Sequence, residues 1–142
     1  MSVFVWKRHY ELGIEAIDTQ HKMIMDRFNL LYEAITKGED QKVVASLMVD
    51  ILDFIRLHFH DEEAILDANR YPRAEAQRAA HRDFLKRAES HYRAYLATPI
   101  VNPLELAGLM QDWIENHMLT MDMDFKEFMV RLDMVHRFGA KS

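Results

Sequence analysis

The chain has 142 residues, of which 49% are hydrophobic and 29% are charged, a balance typical of globular rather than disordered or fibrous proteins. Its net charge of -5 argues against nucleic acid as a partner, because proteins that bind phosphate backbones usually concentrate Lys and Arg on one face. The absence of cysteine excludes disulfides, iron–sulfur clusters and thiolate metal sites, so any metal must be held by His, Asp, Glu or neutral oxygen donors.

The first predicted helix follows an N-terminal arm of about 17 residues that is rich in aromatic side chains. Apolar residues recur at helical spacing over residues 19–37, with Asp18 as the expected N-cap and Gly38 as the expected stop. A second helix is predicted over residues 41–68. Its apolar stripe leads directly into His58 and Glu62, which places both polar side chains on the core face.

The third predicted helix follows Pro72, an expected first-turn residue, and runs to about residue 95. The fourth opens at Asn102, an expected cap, followed by Pro103 in the first turn and by Glu105 at the acidic position of a capping box. Short breaks between helices make neighbours antiparallel. The sequence therefore predicts an all-α protein, an up-down antiparallel four-helix bundle with an N-terminal arm, folded as one domain over residues 1–142.

Nothing in the sequence predicts contact with a membrane. The longest apolar runs are much shorter than the roughly 18 residues needed to cross a bilayer. Residues 1–8 do not have the basic stretch followed by an apolar one that marks a signal peptide. The expected location is therefore the cytoplasm, and the polar outer faces of the helices are compatible with a monomer.

Histidines and carboxylates fall on the predicted inner faces of all four helices. His58 and Glu62 are four residues apart, about one helical turn, so their side chains point the same way and can share a metal centre. An unpaired buried imidazole or carboxylate would cost about 1–3 kcal/mol or more, whereas a pair of metal ions supplies compensating charge. The candidate donors in chain order are His21, His58, Glu62, His81, His117 and Asp122. They suffice for a site with two metal ions.

Asp122 fits this site only if the helix is irregular. It follows His117 by five residues, which on an ideal helix places it about 140° away from the shared face. We hypothesise that a local widening of the last turns, or a bend at residues 118–121, brings both side chains inward. Met118, beside His117, could then line an apolar ligand pocket.

Five short motifs stand out along the chain, and four of them contain these donors. They are Ile17-Asp18-Thr19-Gln20-His21, His58-Phe59-His60-Asp61-Glu62-Glu63, Tyr71-Pro72, His81-Arg82-Asp83-Phe84, and Trp113-Ile114-Glu115-Asn116-His117 with Asp122. Their residues and spacing resemble those of the hemerythrins, and Trp6, Tyr10 and Gly13 ahead of them resemble the single-domain bacterial members of that family. The resemblance extends from Trp6 to about Phe125, nearly the whole chain.

The resemblance implies a non-haem centre with two iron ions, joined by an oxo or hydroxo bridge, that binds O2 reversibly at one iron. By similarity, His21 and His58 hold the oxygen-binding iron, and His81 and His117 hold the other iron. Glu62 and Asp122 bridge the two irons. O2 or another small diatomic molecule is the implied ligand, while no protein partner can be identified.

Gln77 departs from the family pattern, because the family normally places a third histidine on the second iron one turn before His81. An amide oxygen is a weaker and harder donor than imidazole, and it is neutral. Three possibilities stay open. Gln77 coordinates iron through its oxygen, or it withdraws and leaves a coordination position open, or it is hydrogen-bonded behind the ligands with full function retained.

Three functions follow from these possibilities. The first, which the sequence favours, is an O2-binding protein for storage, delivery or sensing, without chemical turnover. The second is a diiron peroxidase or oxidase that uses an open coordination position near Gln77. The third is a protein that binds zinc or a single iron, because the weakened site loses one metal.

Overall fold

The computed structural model describes residues 3–98 and 100–138, and only the backbone at residues 118, 119 and 135–138. Within these ranges, a short 3-10 helix, Arg8–Tyr10, is followed by five α-helices: α1 Glu15–Thr36, α2 Gln41–Ala68, α3 Ala74–Ala97, α4 Leu104–Asn116 and α5 Asp122–Phe138. A π-helical segment, His117–Met121, joins α4 to α5 without a break. No strand occurs within the described ranges.

The helices form a closed ring of neighbours. We count α4, the π-helical segment and α5 as one continuous rod and α1, α2 and α3 as the other three. Helix α1 packs against α2 and α4, and α3 packs against α2 and α4, so each of the four rods has two neighbours. The loops between them are short, which makes consecutive helices antiparallel. Large apolar side chains from all four rods are fully buried between them; examples are Phe28, Leu31, Met48, Ile51, Phe84, Met110 and Ile114. The predicted up-down four-helix bundle with an N-terminal arm is confirmed.

The predicted stop of α1 is confirmed, whereas the predicted cap of α4 lies one residue further from the helix than expected. Gly38 follows α1 with a φ of +73°, a left-handed conformation that glycine adopts without steric cost and that commonly ends helices. At the start of α4 the side-chain oxygen of Asn102 accepts a hydrogen bond of 3.0 Å from the backbone N–H of Leu104. No helix in the described part of the chain is long and apolar enough to cross a membrane.

The predicted role of Asp18 as an N-cap is wrong. Helix α1 begins at Glu15, and Asp18 lies inside its first turn. Its carboxylate instead accepts hydrogen bonds from the backbone N–H groups of Leu12, at 2.8 Å, and Gly13, at 3.1 Å. Because the carboxylate is engaged by the incoming arm, the helix starts earlier than the predicted cap.

The two prolines expected in first turns lie just before their helices. Pro72 occupies the turn that precedes α3, and Pro103 immediately precedes α4. Both proline rings fix φ at a value compatible with entering a helix. The prolines therefore mark the helix starts as predicted, but each lies one or two residues before the first helical residue.

Asn29 attaches the N-terminal arm to α1. Its side-chain oxygen accepts from the backbone N–H groups of Val3 and Phe4, both at 2.9 Å, and its amide nitrogen donates to the carbonyl of Phe4 at 2.8 Å. The ring of Phe4 packs edge-on against Phe28 with centroids 5.2 Å apart. The arm is thereby part of the apolar core rather than an appendage.

Replacing Asn29 by alanine is expected to lower the free energy of unfolding by about 1–3 kcal/mol, because it leaves backbone groups of the arm without partners. Chemical denaturation of the purified protein measures the change. The matched control, Asn29→Asp, keeps oxygens that accept from Val3 and Phe4 and should lose less stability. Equal stability of wild type and Asn29→Ala would contradict this role for the side chain.

Candidate metal centre

The six predicted donors converge in the interior of the bundle, and none of them is more than 2% exposed. Each rod contributes at least one donor, so the bundle must be assembled before the cluster exists. Helix by helix, the donors are His21 on α1, His58 and Glu62 on α2, His81 on α3, His117 in the π-helical segment, and Asp122 at the start of α5.

A widened turn brings Asp122 to the same side of the helix as His117. The backbone N–H of Asp122 donates to the carbonyl of His117, a bond that spans five residues instead of four. Five residues therefore close about one turn here, and the Nε2 of His117 lies 3.1 Å from Oδ1 of Asp122. The predicted local widening is confirmed.

The donor atoms form two groups that share one carboxylate. Within each group, one ligand atom from every residue lies within 4.8 Å of the others. The first group is His21, His58, Glu62 and Asp122, and the second is Glu62, His81 and His117. Each group has the size and the mixed nitrogen and oxygen donors that suit one first-row transition metal ion.

The contacts inside the cluster fit a metal better than they fit a hydrogen-bond network. The Nε2 atoms of His21 and His58 face each other at 3.1 Å, and those of His81 and His117 face each other at 3.3 Å. The buried oxygens Oε2 of Glu62 and Oδ2 of Asp122 make no hydrogen bond of good geometry. Each has a histidine Nε2 3.1 Å away, that of His58 for Glu62 and that of His21 for Asp122. Buried acceptors in this condition cost about 1–3 kcal/mol each, and cations bound among them would remove that cost.

Without a metal, the charges in the cluster shift its protonation. Burial disfavours the charged form of His21, but the hydrogen bonds and negative charges of Asp122 and Glu62 outweigh burial and raise its pKa to about 9. The same balance of burial against the two carboxylates raises the pKa of His117 to about 10. Burial lowers the pKa of His58. Although burial opposes ionisation of Glu62, the nearby histidines hold the pKa of its carboxyl well below its usual range.

These pKa shifts predict proton release when metal binds. At pH 7, below pKa values of about 9 and 10, the metal-free protein holds His21 and His117 protonated, whereas an imidazole must be neutral to bind metal. Filling the site at pH 7 is therefore expected to release about two protons, and the apparent affinity should rise with pH until both rings are neutral. Calorimetric titration with Zn²⁺ in buffers of different ionisation enthalpy counts the protons. A release near zero would contradict the protonation of these rings.

Three polar residues, which belong to the quoted motifs but were not predicted to have a role, lie on the side of two histidines that faces away from the cluster. Oε1 of Gln20 lies 2.9 Å from Nδ1 of His58, and Nε2 of Gln20 donates to Oδ2 of Asp61 at 2.7 Å. Oε2 of Glu63 lies 2.8 Å from Nδ1 of His81. Their positions in the sequence could have indicated this, because Gln20 and Glu63 are each adjacent to a predicted donor. An adjacent residue lies about 100° around the helix, on a side that can face the next helix.

Gln77 lies inside the bundle one turn before His81 and is only 1% exposed. Its amide nitrogen is 3.4 Å from the backbone carbonyl of Met121, a long hydrogen bond to the end of the π-helical segment. Its amide oxygen is buried without a hydrogen-bond partner. The side chain thus reaches the widened turn with its nitrogen and leaves its one acceptor free.

Aromatic rings cover the second donor group. Phe59 stacks on His81 with centroids 3.8 Å apart, and Trp113 stacks on His117 at 4.3 Å. Such a wall limits the access of water to the cluster. The side chain of Met118, predicted to line an apolar pocket, lies outside the described residues.

The architecture and the cluster define the class of protein as a helical bundle with a buried candidate site for two metal ions. Residues 12–129 match the family model described as the Hemerythrin HHE cation binding domain. The chain therefore belongs to the hemerythrin family, as its motifs predicted.

Curated relatives agree with this assignment. The bacteriohemerythrin of Pseudomonas paraeruginosa is 31% identical over 117 residues, which are 82% of this chain and 75% of the relative. The bacteriohemerythrin of Clostridium acetobutylicum is 25% identical over 127 residues, 87% of this chain and 98% of the relative. The myohemerythrin of Sipunculus nudus is 26% identical over 125 residues, 87% of this chain and 91% of the relative.

Proposed function

We propose that this chain is a non-haem diiron protein that binds O2 reversibly, for storage, delivery or sensing, without chemical turnover. The observation that carries the proposal is the pair of buried donor groups that share Glu62. Membership of the hemerythrin family and similarity to bacteriohemerythrins and a myohemerythrin support the choice of iron as the metal and O2 as the ligand.

In this proposal each iron takes two histidines and both irons share two carboxylates. By similarity to the family, His21 and His58 would hold the oxygen-binding iron, and His81 and His117 would hold the other. Glu62, common to both donor groups, would be shared by the two irons. Asp122 would be shared as well, since its oxygens lie 3.1 Å from Nε2 of His21 and 3.1 Å from Nε2 of His117. Gln77 adds its amide oxygen to the second iron, a role supported by the burial of that oxygen and its lack of a hydrogen-bond partner. When bound, the two ferrous ions supply the coordination position and the electrons that O2 binding requires.

The remaining contribution of the protein is to hold neutral imidazoles in place and to exclude water. The stacked rings of Phe59 and Trp113 shield His81 and His117 on their faces. Limited access of water and protons slows irreversible oxidation of the site, which reversible O2 binding requires. The donors come from several rigid helices, so their positions are fixed by packing of the core rather than by loops.

Iron reconstitution under anaerobic conditions, followed by optical spectra with and without O2, tests the proposal. The expected result is two irons per chain, one for each donor group, and a spectral change on exposure to O2 that reverses under vacuum. Rapid irreversible oxidation, with turnover of hydrogen peroxide by a reductant faster than free iron supports, would replace the proposal by the enzyme alternative. A content of about one metal per chain would contradict the two-metal site.

A further inference from the structure

The hydrogen bond behind His81 has a defined direction. A carboxylate only accepts hydrogen bonds, so Nδ1 of His81 must donate to Oε2 of Glu63, 2.8 Å away. The opposite nitrogen, Nε2, then presents its lone pair toward the cluster, where it lies 3.2 Å from Oε1 of Glu62. Glu63 therefore selects the form of His81 that can bind metal and orients the ring from outside.

The hydrogen bonds behind His58 also have a defined direction. Because Oδ2 of Asp61 can only accept, the nearby amide nitrogen of Gln20 must be the donor, which turns Oε1 of Gln20 toward Nδ1 of His58. Nδ1 of His58 therefore donates to an uncharged amide. Nε2 of His58 faces the cluster, 3.1 Å from Oε2 of Glu62.

The two halves of the site thus differ in what lies behind their histidines. The half with His21 and His58 has a neutral amide behind one ring, and Nδ1 of His21 is buried without a partner. The half with His81 and His117 has a carboxylate behind one ring, and Nδ1 of His117 is likewise without a partner. The carboxylate is on the half where Gln77 replaces a third imidazole.

We propose that Glu63 is a positioning residue that strengthens His81 as a metal ligand and so compensates for the weak donor at Gln77, an inference that rests on the proposed diiron site. A hydrogen bond to a carboxylate transfers negative charge onto the imidazole, which raises its basicity as a ligand and stabilises the more oxidised metal. The neutral Gln20 gives no such support to His58. The half that lacks one nitrogen ligand has the stronger supporting hydrogen bond.

Glu63→Gln tests the proposal because it retains an acceptor for His81 and removes the charge. The expected result is a loss of about 10–100-fold in affinity for the more weakly held of two Zn²⁺ ions, measured by calorimetry on the metal-free protein. The midpoint potential of the iron-loaded variant should shift to more positive values. Gln20→Glu combined with Asp61→Asn places a carboxylate behind His58 with an amide donor beside it. This double variant should shift the potential in the negative direction and provides a second readout if Glu63→Gln folds poorly.

Glu39→Gln is the matched control, since it removes the same charge from an exposed residue in the loop after α1. If Glu63→Gln and Glu39→Gln have the same Zn²⁺ affinities and the same potential, the charge of Glu63 has no effect on the metal site and the proposal is overturned. Equal loss of affinity for both Zn²⁺ ions would also overturn it, because the substitution would then not act specifically on the half of the site that contains His81. Wild-type protein that fails to take up two ions would instead contradict the proposed function itself.

Discussion

Replacing Glu62 by alanine is expected to reduce the metal content from two ions per chain, one for each donor group, to one or none. Glu62 is the residue common to both groups, with Oε1 3.0 Å from Nε2 of His117 and Oε2 3.1 Å from Nε2 of His58. Its loss removes an anionic oxygen from each metal position at once. Substitution of residues that hydrogen-bond to metal ligands lowers metal affinity by up to roughly 100-fold. Loss of Glu62, a ligand itself, should lower the metal affinity by more than this.

The same variant is expected to destabilise the metal-free fold. Removing one partner of a buried ion pair typically costs 3–5 kcal/mol, because the remaining charge has no compensation. Here the uncompensated groups are His21 and His117, whose raised pKa values depend partly on Glu62. Part of this cost should vanish above about pH 10, where both rings are neutral in the wild type as well.

Metal analysis and chemical denaturation measure the two effects of Glu62→Ala. Glu62→Gln separates shape from charge, since it fills the same space without a negative charge. Glu75→Ala, an exposed glutamate paired with arginines on the same surface, is the control for loss of a carboxylate outside the site. Retention of two metal ions at wild-type affinity in Glu62→Ala would contradict the shared position of this residue.

Changing Gln77 to histidine is expected to strengthen metal binding in the His81 half and to slow autoxidation. Imidazole is a better donor to iron than an amide oxygen, and the side chain already lies inside the bundle, 1% exposed, one turn before His81. The expected gain in affinity for the second ion is on the order of 10–100-fold, similar to other adjustments of metal sites. Autoxidation rates of the reconstituted wild type and variant provide the functional comparison.

Gln77→Leu is the informative counterpart, because leucine has similar bulk and no donor. Loss of the second metal in Gln77→Leu, together with a gain in Gln77→His, would establish coordination by the amide oxygen. If both variants behave as the wild type, neither coordination by Gln77 nor its hydrogen bond to the carbonyl of Met121 contributes to metal binding. Slower autoxidation in Gln77→Leu would contradict the role of a missing ligand in oxidation.

Helical periodicity was sufficient to predict the bundle, because each rod buries one apolar stripe and the loops are too short for other connections. It failed locally at Asp18, because this carboxylate accepts hydrogen bonds from the backbone N–H groups of Leu12 and Gly13 in the arm instead of capping the helix. Residue preferences at helix caps apply to a helix end taken by itself. They do not show whether another segment of the chain hydrogen-bonds to the same side chain.

The candidate site was predictable as a set of donors but not as a geometry. The five-residue interval between His117 and Asp122 indicated a widened turn, and the π-helical segment confirms it. The division of the donors into two groups depends on how four helices approach one another, which no spacing within one helix determines. Gln20 and Glu63 were missed for the same reason, since each acts across to a histidine on a neighbouring helix.

The most direct test of the account is the amount of O2 bound and released by the fully ferrous protein. Reversible binding at one of two irons predicts one O2 taken up for every two irons and its recovery when the solution is flushed with argon. Recovery should persist through repeated cycles with little loss of ferrous iron. Consumption of O2 without recovery, at any ratio to iron, would contradict the central claim that this protein binds oxygen reversibly.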